Sequence, residues 1–415
     1  MKHLFALIVA VMVGLPCYAE APREGRLLII GGALDYDDPK IFHVFIGDAM
    51  RVSRETPIRI GVLPTASGEP ERSGRLTAED IVRHAKTYPL FERVGAEDPV
   101  DVRVIDVTTA NPASAKDPSV VEQIDACDAL WFTGGDQSRI TAVFRPGDED
   151  TPAYEAVLRV LERGGVVAGT SAGAAMMPER MIRWGNSVEA LLVGRSDVAE
   201  DRGVGVGLGM GLLDGVMIDQ HFMERRRLGR LIVAMHTEGI AMGIGVNENR
   251  ALRVDLVSRV ATPVGEEAVV VVRAFDKSTM AGSRYPGAIS NGYRMSMLSD
   301  ADRSVIDLDT GLIAARGADR EASIEAVAPR FGAGFGKLSE TGLGLVTWSD
   351  PVTRVMASSV IGLPVALTRK AVVADVDVER AERIRAEIEA EVEERGVAEP
   401  AHPRAWPGLT GDDDA

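Results

Sequence analysis

The sequence predicts an α/β fold in which a mostly parallel sheet is flanked by helices on both faces. Short apolar segments alternate with longer segments of helical periodicity between residues 26 and 250, which is the pattern of a parallel sheet with crossover helices. Two apolar segments end in glycine pairs, Gly31-Gly32 and Gly134-Gly135, as expected at a sheet edge that receives ligands. With 415 residues, 46% of them apolar, the chain can enclose a large core.

The predicted elements follow in chain order from this pattern. Short apolar runs bounded by glycine, proline or asparagine predict strands over residues 26–32, 58–63, 102–107, 129–132, 166–168, 216–222 and 243–246. Helical periodicity predicts helices over 40–53 and 77–93, and a small-residue helix from Ala174. Residues 251–258 and 268–273 are predicted to pair around a turn at Gly265.

The two ends of the chain depart from the pattern. Residues 1–19 have a charged start, a short apolar run and small residues before position 20, which predicts a secretory signal and a secreted or periplasmic protein. A lipid anchor on Cys17 is the rival outcome. The expected domains are a hydrolase domain over 20–300, a C-terminal extension of unassigned role over 301–395 and a disordered acidic tail over 396–415.

Charge and cysteine content exclude several classes of partner. The net charge is −16, and loss of Lys2 with the signal makes it −17, which argues against nucleic acid and weakly suits a cationic substrate. Only Cys127 remains after cleavage, in an apolar setting typical of a packed thiol, and no cluster has zinc-ligand spacing. We therefore expect no metal. We also expect no cofactor and no membrane partner after signal cleavage, and a homodimer is one possible assembly.

The strongest chemical signal lies in residues 164–177. An apolar strand turns sharply through Gly169-Thr170-Ser171-Ala172-Gly173 into a helix. A serine at such a corner has a strained backbone and needs small neighbours on either side. We predict Ser171 as a nucleophile, with the N–H groups of Ala172 and Gly135 as oxyanion donors.

A serine nucleophile needs a base, and the chain has six histidines. Two of them lie in the signal and the tail, two lie in helices ahead of Ser171, and one ends a basic helix, where its charge suits the helix dipole. The sixth, His221, closes an apolar strand at the sheet edge that also carries Ser171. We predict His221 as the base.

The spacing along the chain does not decide which residue supplies the carboxylate that orients His221. Candidates between the nucleophile and the base are Glu189, Asp197, Glu200, Asp201 and Asp219. Asp219 shares a strand face with His221, so it is either the orienting acid or a contact for a cationic substrate group. Asp136 is likewise either a substrate contact or the N-cap of the helix that follows it.

Four motifs together resemble those of the cyanophycinases, serine exopeptidases related to aspartyl dipeptidase. They are Thr133-Gly134-Gly135-Asp136-Gln137, Gly169 to Met177, Ile218 to Phe222, and the arginine run Arg225 to Arg230. The resemblance covers about residues 25–275 and implies a fold similar to class I glutamine amidotransferases. It also implies a triad of Ser171, His221 and Glu189, and substrate contacts from Gln137, Arg225 and Arg227, to which we add Asp136, Arg183 and Asp219. Asn247 stands where the family leads us to expect an acid.

The resemblance implies cyanophycin, or β-aspartyl peptides, as the substrate. Cyanophycin is an aspartate chain with arginine on each side-chain carboxyl, and such enzymes release β-Asp-Arg dipeptides from it. Arginine forks suit its carboxylates. Two other functions share the serine motif: an esterase, against which the chain lacks a His-Gly-Gly oxyanion loop, and an inactive periplasmic binding protein, against which Ser171 and His221 are both present.

Overall fold

The computed structural model describes residues 24–53, 55–187, 189–190, 194–197, 203–274, 293–301 and 304–315. Its centre is a parallel sheet of five strands, which confirms the expected α/β class. The strands are β1 (Arg26–Ile30), β2 (Ile58–Leu63), β3 (Val100–Val104), β4 (Ala129–Phe132) and β5 (Val166–Thr170). They lie in the order β1-β5-β4-β2-β3, and every neighbouring pair is parallel.

Helices cover both faces of this sheet. They are α1 (Lys40–Val52), α2 (Pro70–Lys86), α3 (Pro89–Val94), α4 (Pro118–Asp125), α5 (Gln137–Phe144) and α6 (Pro152–Glu162). Residues of α1 and α2 pack with Trp131 on one face, whereas α4 to α6 pack with Phe132 on the other. Alternate residues of a strand point to opposite faces, so a strand buried on both sides reads as a continuous apolar run.

The helix predicted over 77–93 is two helices. The first, α2, begins at Pro70 and ends at Lys86, and the second, α3, begins at Pro89. A proline has no N–H to continue the helical hydrogen bonds and fits the first turn of a new helix.

The remaining elements enlarge the central sheet and add two smaller ones. In chain order they are α7 (Ala172–Ala175), β6 (Arg180–Gly185), β7 (Val204–Leu208), β8 (Val216–Gln220), α8 (Leu228–Glu238), β9 (Met242–Val246), β10 (Ala251–Asp255), β11 (Val260–Val264), β12 (Val269–Ala274), β13 (Tyr293–Leu298), β14 (Ser304–Asp307) and β15 (Ile313–Ala315). The central sheet continues from β1 through antiparallel β10, β11, β14 and β15. A second sheet has the order β13-β12-β9-β8, and β6 pairs with β7.

One expectation about the later strands is wrong. Residues 251–258 and 268–273 do not pair, because β11 forms the hairpin with β10 and β12 joins β9 and β13 in the second sheet. The main sheet also continues past residue 300, since β14 pairs with β11. The predicted signal over 1–19, the tail over 396–415 and the extension beyond Ala315 lie outside the described residues.

The sheet order places several loops at one edge. Ser171 follows β5, Gly31 follows β1, and Thr133 follows β4, all at carboxyl ends of parallel strands. β8 and β9 are also parallel, with Gln220 opposite Val246, so His221 and Asn247 leave neighbouring strands together. Of the helices in the described ranges, none is long and apolar enough to cross a membrane.

Candidate active site

Ser171 stands at a strained corner between β5 and α7. Its backbone has φ 53° and ψ −108°, which non-glycine residues rarely adopt. The chain packs so closely here that a Cβ at Gly169 would lie 2.2 Å from the carbonyl oxygen of Gly173, and one at Gly173 would lie 2.6 Å from that of Phe132. The Ser171 N–H donates to the carbonyl of Ile30 at 2.9 Å, which fixes the corner to β1.

The structure brings Ser171 and His221 together. The Ser171 Oγ lies 2.9 Å from the Nε2 of His221, within hydrogen-bond distance. His221 is buried and has φ 46°, and its N–H donates to the Gly31 carbonyl at 2.8 Å. The neighbouring Gly32 leaves room for the ring, since a Cβ there would lie 2.4 Å from His221 Nε2.

The carboxylate on His221 belongs to Glu248, a residue that the sequence analysis did not consider. Its Oε1 lies 2.5 Å from the Nδ1 of His221. The prediction that Glu189 holds this place is wrong: Glu189 follows β6, and its N–H donates to the Asn186 side chain. The chain thus carries a continuous serine, histidine and carboxylate series at this sheet edge.

None of the other described candidates takes the place of Glu248. Asp219 is bound on both oxygens by Arg230, at 2.7 Å from its Nε and 2.5 Å from its Nη2. Asp197 accepts from Arg195, and Glu200 and Asp201 lie outside the described residues. One signal could have pointed to Glu248: it is the second residue after the apolar strand 243–246, and that strand lies parallel to the strand before His221.

The surroundings keep His221 uncharged near neutral pH. Burial lowers the pKa of His221 below the ordinary histidine range, and the hydrogen bond to Glu248 opposes that shift. The cations Arg225 and Arg227 lower the pKa further. A neutral imidazole can accept the proton of Ser171, and Glu248 can hold its Nδ1–H.

The start of α7 and the Gly134-Gly135 turn both adjoin the nucleophile. Ala172 is the first residue of α7, where a helix N–H has no acceptor within its own helix. On the other side, a Cβ at Gly134 would lie 3.4 Å from the Ser171 Cβ, so the Gly134-Gly135 turn runs along the serine. Of the two predicted oxyanion donors, Ala172 directly follows the serine, and Gly135 directly follows the glycine that lies beside it.

The three predicted contacts around α5 have different surroundings. Asp136 is the N-cap of α5, because its side chain accepts from the Ser138 N–H at 2.8 Å. Gln137 is buried, and its Nε2 donates to the carbonyls of Ile182 and Arg183, which leaves its Oε1 as the group able to meet a ligand. Arg183 is exposed, with its guanidinium 4.9 Å from the ring centroid of Trp184.

The basic run after His221 is divided between buried and exposed arginines. Arg230 neutralises Asp219 inside the protein, so Asp219 is not a free carboxylate for a guanidinium. Arg227 donates to the Gln220 carbonyl at 2.7 Å, and burial lowers its pKa to about 10. The side chain of Arg225 is 54% exposed, with its Nε 3.9 Å from Glu248 Oε1. Arg225 and its neighbour Arg226 are the exposed members of the run, and Arg225 is the one that lies beside Glu248.

The amino-acid sequence of the chain is similar to those of known proteins. A profile described as peptidase family S51 matches residues 77–257. A cyanophycinase from a Nostoc species is 34% identical over 226 residues, which are 54% of this chain and 65% of that protein. A cyanophycinase from Geminocystis herdmanii is 32% identical over 228 residues, 54% of this chain and 72% of that protein. The chain thus spans about two thirds of the length of these relatives.

A solved structure is similar as well. It is a crystal structure of a peptidase from an acI-B1 actinobacterium, with a TM-score of 0.45 and 16% identity, over 67% of this chain and 98% of that chain.

Proposed function

Because this chain belongs to the cyanophycinase family within peptidase family S51, we propose that it is a serine peptidase that degrades cyanophycin. The observation that carries the proposal is the pair of short contacts that join Ser171 to His221 and His221 to Glu248. A histidine that contacts a serine hydroxyl on one side and a carboxylate on the other can act as the general base for that serine, which is the arrangement of serine acyl-transfer enzymes.

The proposed reaction begins with attack of Ser171 Oγ on the scissile carbonyl. His221 Nε2 accepts the hydroxyl proton, while Glu248 stabilises the imidazolium through Nδ1–H. The N–H groups of Ala172 and Gly135 donate to the oxyanion of the tetrahedral intermediate. His221 then returns the proton to the leaving amine, and a water molecule hydrolyses the acyl-enzyme by the same steps in reverse order.

The arginines would bind the substrate's carboxylates. Arg225 is exposed next to the triad carboxylate, and Arg227 keeps an orientation fixed by the Gln220 carbonyl. A guanidinium fork can grip a carboxylate through two parallel hydrogen bonds, which a lysine cannot do. In cyanophycin the free main-chain carboxylate at a chain end is such a group, so this placement supports release of β-Asp-Arg dipeptides from an end. Asp219 takes a supporting role here, since it holds Arg230.

We also propose that the chain is exported. The support is the N-terminal sequence alone, with Lys2, the apolar run and the small residues before Glu20. Edman sequencing of the protein from culture supernatant or periplasm should begin at or near Glu20, whereas an intact N-terminus on cytoplasmic protein would contradict export.

The function is tested by incubating the purified protein with insoluble cyanophycin and, separately, with a simple aryl ester. We expect β-Asp-Arg dipeptides as the products, identified by mass spectrometry. Turnover of the ester with none of the polymer would favour an esterase. Binding of the polymer without any product would favour a protein that has kept the pocket and lost turnover.

A further inference from the structure

Glu248 lies between two asparagines whose side chains both bond to the backbone of other segments. Asn247 and Asn249 stand on either side of it, directly after β9. The Nδ1 contact of His221 depends on where this short segment lies. The hydrogen bonds that hold Asn247 and Asn249 in place therefore also hold the Glu248 carboxylate in place.

Asn249 ties the segment to the loop that follows β1. Its N–H donates to the Gly32 carbonyl at 2.8 Å, and its Oδ1 accepts from the Asp35 N–H at 2.9 Å. Its φ of 51° is a left-handed conformation that asparagine adopts more readily than most residues. Gly32 is also the residue that packs against the His221 ring. One loop thus contacts both the base and the residue after its carboxylate.

Asn247 ties the same segment to the chain just beyond the base. It is buried, and its Oδ1 accepts from the N–H of Met223, two residues after His221, at 3.2 Å. Its Nδ2 donates to the Glu267 carbonyl at 2.6 Å, and its N–H donates to the Ala268 carbonyl at 3.0 Å. The side chain thus joins His221's own segment to the segment that leads into β12.

We propose that Asn247 and Asn249 are positioning residues that hold the Glu248 carboxylate on Nδ1 of His221. The Asn247 side chain accepts from Met223 in the segment of the base. Asn249 is tied to the loop after β1 twice, by its backbone N–H to Gly32 and by its side chain to Asp35. This inference rests on the proposed function, because it concerns how the same triad is held.

The chemistry of an amide explains why asparagine suits position 247. The side chain must accept from one backbone N–H and donate to one carbonyl, and only an amide does both in a fixed orientation. An aspartate would place an oxygen against the Glu267 carbonyl, where the amide now donates. At position 249 only an acceptor is needed, so aspartate can replace asparagine there.

The proposal predicts a change in the pKa of His221 as well as in the reaction rate. The charged groups that face His221 are Glu248, Arg225 and Arg227, and Glu248 is the one that raises its pKa. If Glu248 moves away, that support weakens while the burial and the two cations remain. The acid limb of the pH profile should then move to lower pH, which a general loss of stability would not cause.

The test uses a small fluorophosphonate, which reports on the triad without any cyanophycin. Ser171 Oγ bonds to phosphorus, the phosphorus–fluorine bond breaks, fluoride leaves, and the serine proton passes to His221. The labelling rate of the full chain is followed by intact mass between pH 5 and pH 9. The variants are Asn249→Gly, which keeps the left-handed backbone, Asn249→Asp, which keeps the acceptor, and Asn247→Asp.

The matched control is Asn186→Gly. Its Oδ1 also accepts a backbone N–H, from Glu189 at 2.9 Å, and among the described residues no hydrogen bond joins it to the Glu248 segment. We expect Asn249→Gly and Asn247→Asp to slow labelling by about 10- to 100-fold, the range that a small misplacement costs. For Asn249→Gly the acid limb should also lie at lower pH, whereas Asn249→Asp and the control should label at close to the wild-type rate.

Labelling of folded Asn249→Gly at the wild-type rate and with the wild-type pH profile would overturn the proposal. If Asn247→Asp fails to fold, Asn249→Gly alone decides it. Absence of labelling at Ser171 in the wild type would instead contradict the proposed function, so the two failures are distinguishable.

Discussion

The Oε1 of Glu248 lies 2.5 Å from the Nδ1 of His221, although the two residues are 27 positions apart in the chain. They meet because β8 and β9 are parallel neighbours, and each residue follows the end of its strand. The contact fixes the ring so that Nε2 faces Ser171 at 2.9 Å. Glu248 is therefore the carboxylate that supports the base.

Glu248→Gln should lower kcat on cyanophycin by about 10²- to 10⁴-fold, because loss of the carboxylate charge destabilises the imidazolium and disturbs the ring tautomer. The matched control is Glu189→Gln, which makes the same change at a carboxylate away from His221. Its kcat should stay close to that of the wild type. A loss of kcat in Glu189→Gln as large as that in Glu248→Gln, or a loss in Glu189→Gln alone, would contradict the assignment of Glu248 as the orienting carboxylate.

The pH dependence of kcat/KM should follow the neutral form of His221. The reaction needs the unprotonated ring, so the rate is present above the pKa of the base and is lost as pH falls through it. Because burial lowers this pKa, the acid limb should lie below the ordinary histidine range. Arg225 also lowers the pKa, so Arg225→Met should move the limb to higher pH. A limb that moves to lower pH in this variant would contradict the electrostatic account.

Much of this site follows from the sequence because its signals are local. The corner at Ser171 needs two glycines that leave no space for a Cβ, and such a requirement is visible in five consecutive residues. The apolar strand before His221 is equally local. Glu248 lies beyond His221 in the chain, outside the Ser171–His221 interval that held the candidate carboxylates, and its place depends on the pairing of β8 with β9.

The remaining errors concern the partner assigned to a strand or to a side chain. The strand at 251–258 finds its partner in Val260–Val264, a segment with a proline inside it, rather than in the more apolar 269–274. Asp219 was weighed as a free carboxylate, yet Arg230 reaches it from α8 and neutralises it. Helix α8 packs over β8 through tertiary contacts, which spacing along the chain does not reveal.

The buried pair of Asp219 and Arg230 should be important for stability. The side chains of Asp219 and Arg230 are 1% and 5% exposed, so Arg230→Met would remove the guanidinium that binds both oxygens of a buried carboxylate. Arg227 would remain as a cation 3.7 Å from Asp219, but its Nη1 already donates to the Gln220 carbonyl. We expect the free energy of unfolding in urea to fall by about 3–5 kcal/mol. The control is Arg75→Met, which breaks an exposed pair with Glu79 and should cost less than about 1 kcal/mol. A loss for Arg230→Met no larger than that of the control would show that the pair is dispensable.

Cys127 should be unreactive in the folded protein. Burial raises the pKa of its thiol to about 12, and its Sγ donates to the Gln123 carbonyl. At pH 8 only about one thiol in ten thousand would be ionised. In a Cys17→Ser background, Ellman's reagent should therefore react with less than one thiol per chain until urea is added. Rapid reaction of one thiol in the native protein would contradict the burial.

The most direct test of the central claim is release of β-Asp-Arg dipeptides from insoluble cyanophycin by the wild type and by Ser171→Ala, measured side by side by mass spectrometry. The substitution removes the Oγ and no other heavy atom, and both proteins should unfold at similar temperatures. We predict dipeptide release by the wild type and a rate at least about a thousandfold lower in the variant, because a triad acts as a unit. Dipeptide release at near wild-type rates by Ser171→Ala, or none by the folded wild type, would contradict the assignment of this site as a serine peptidase.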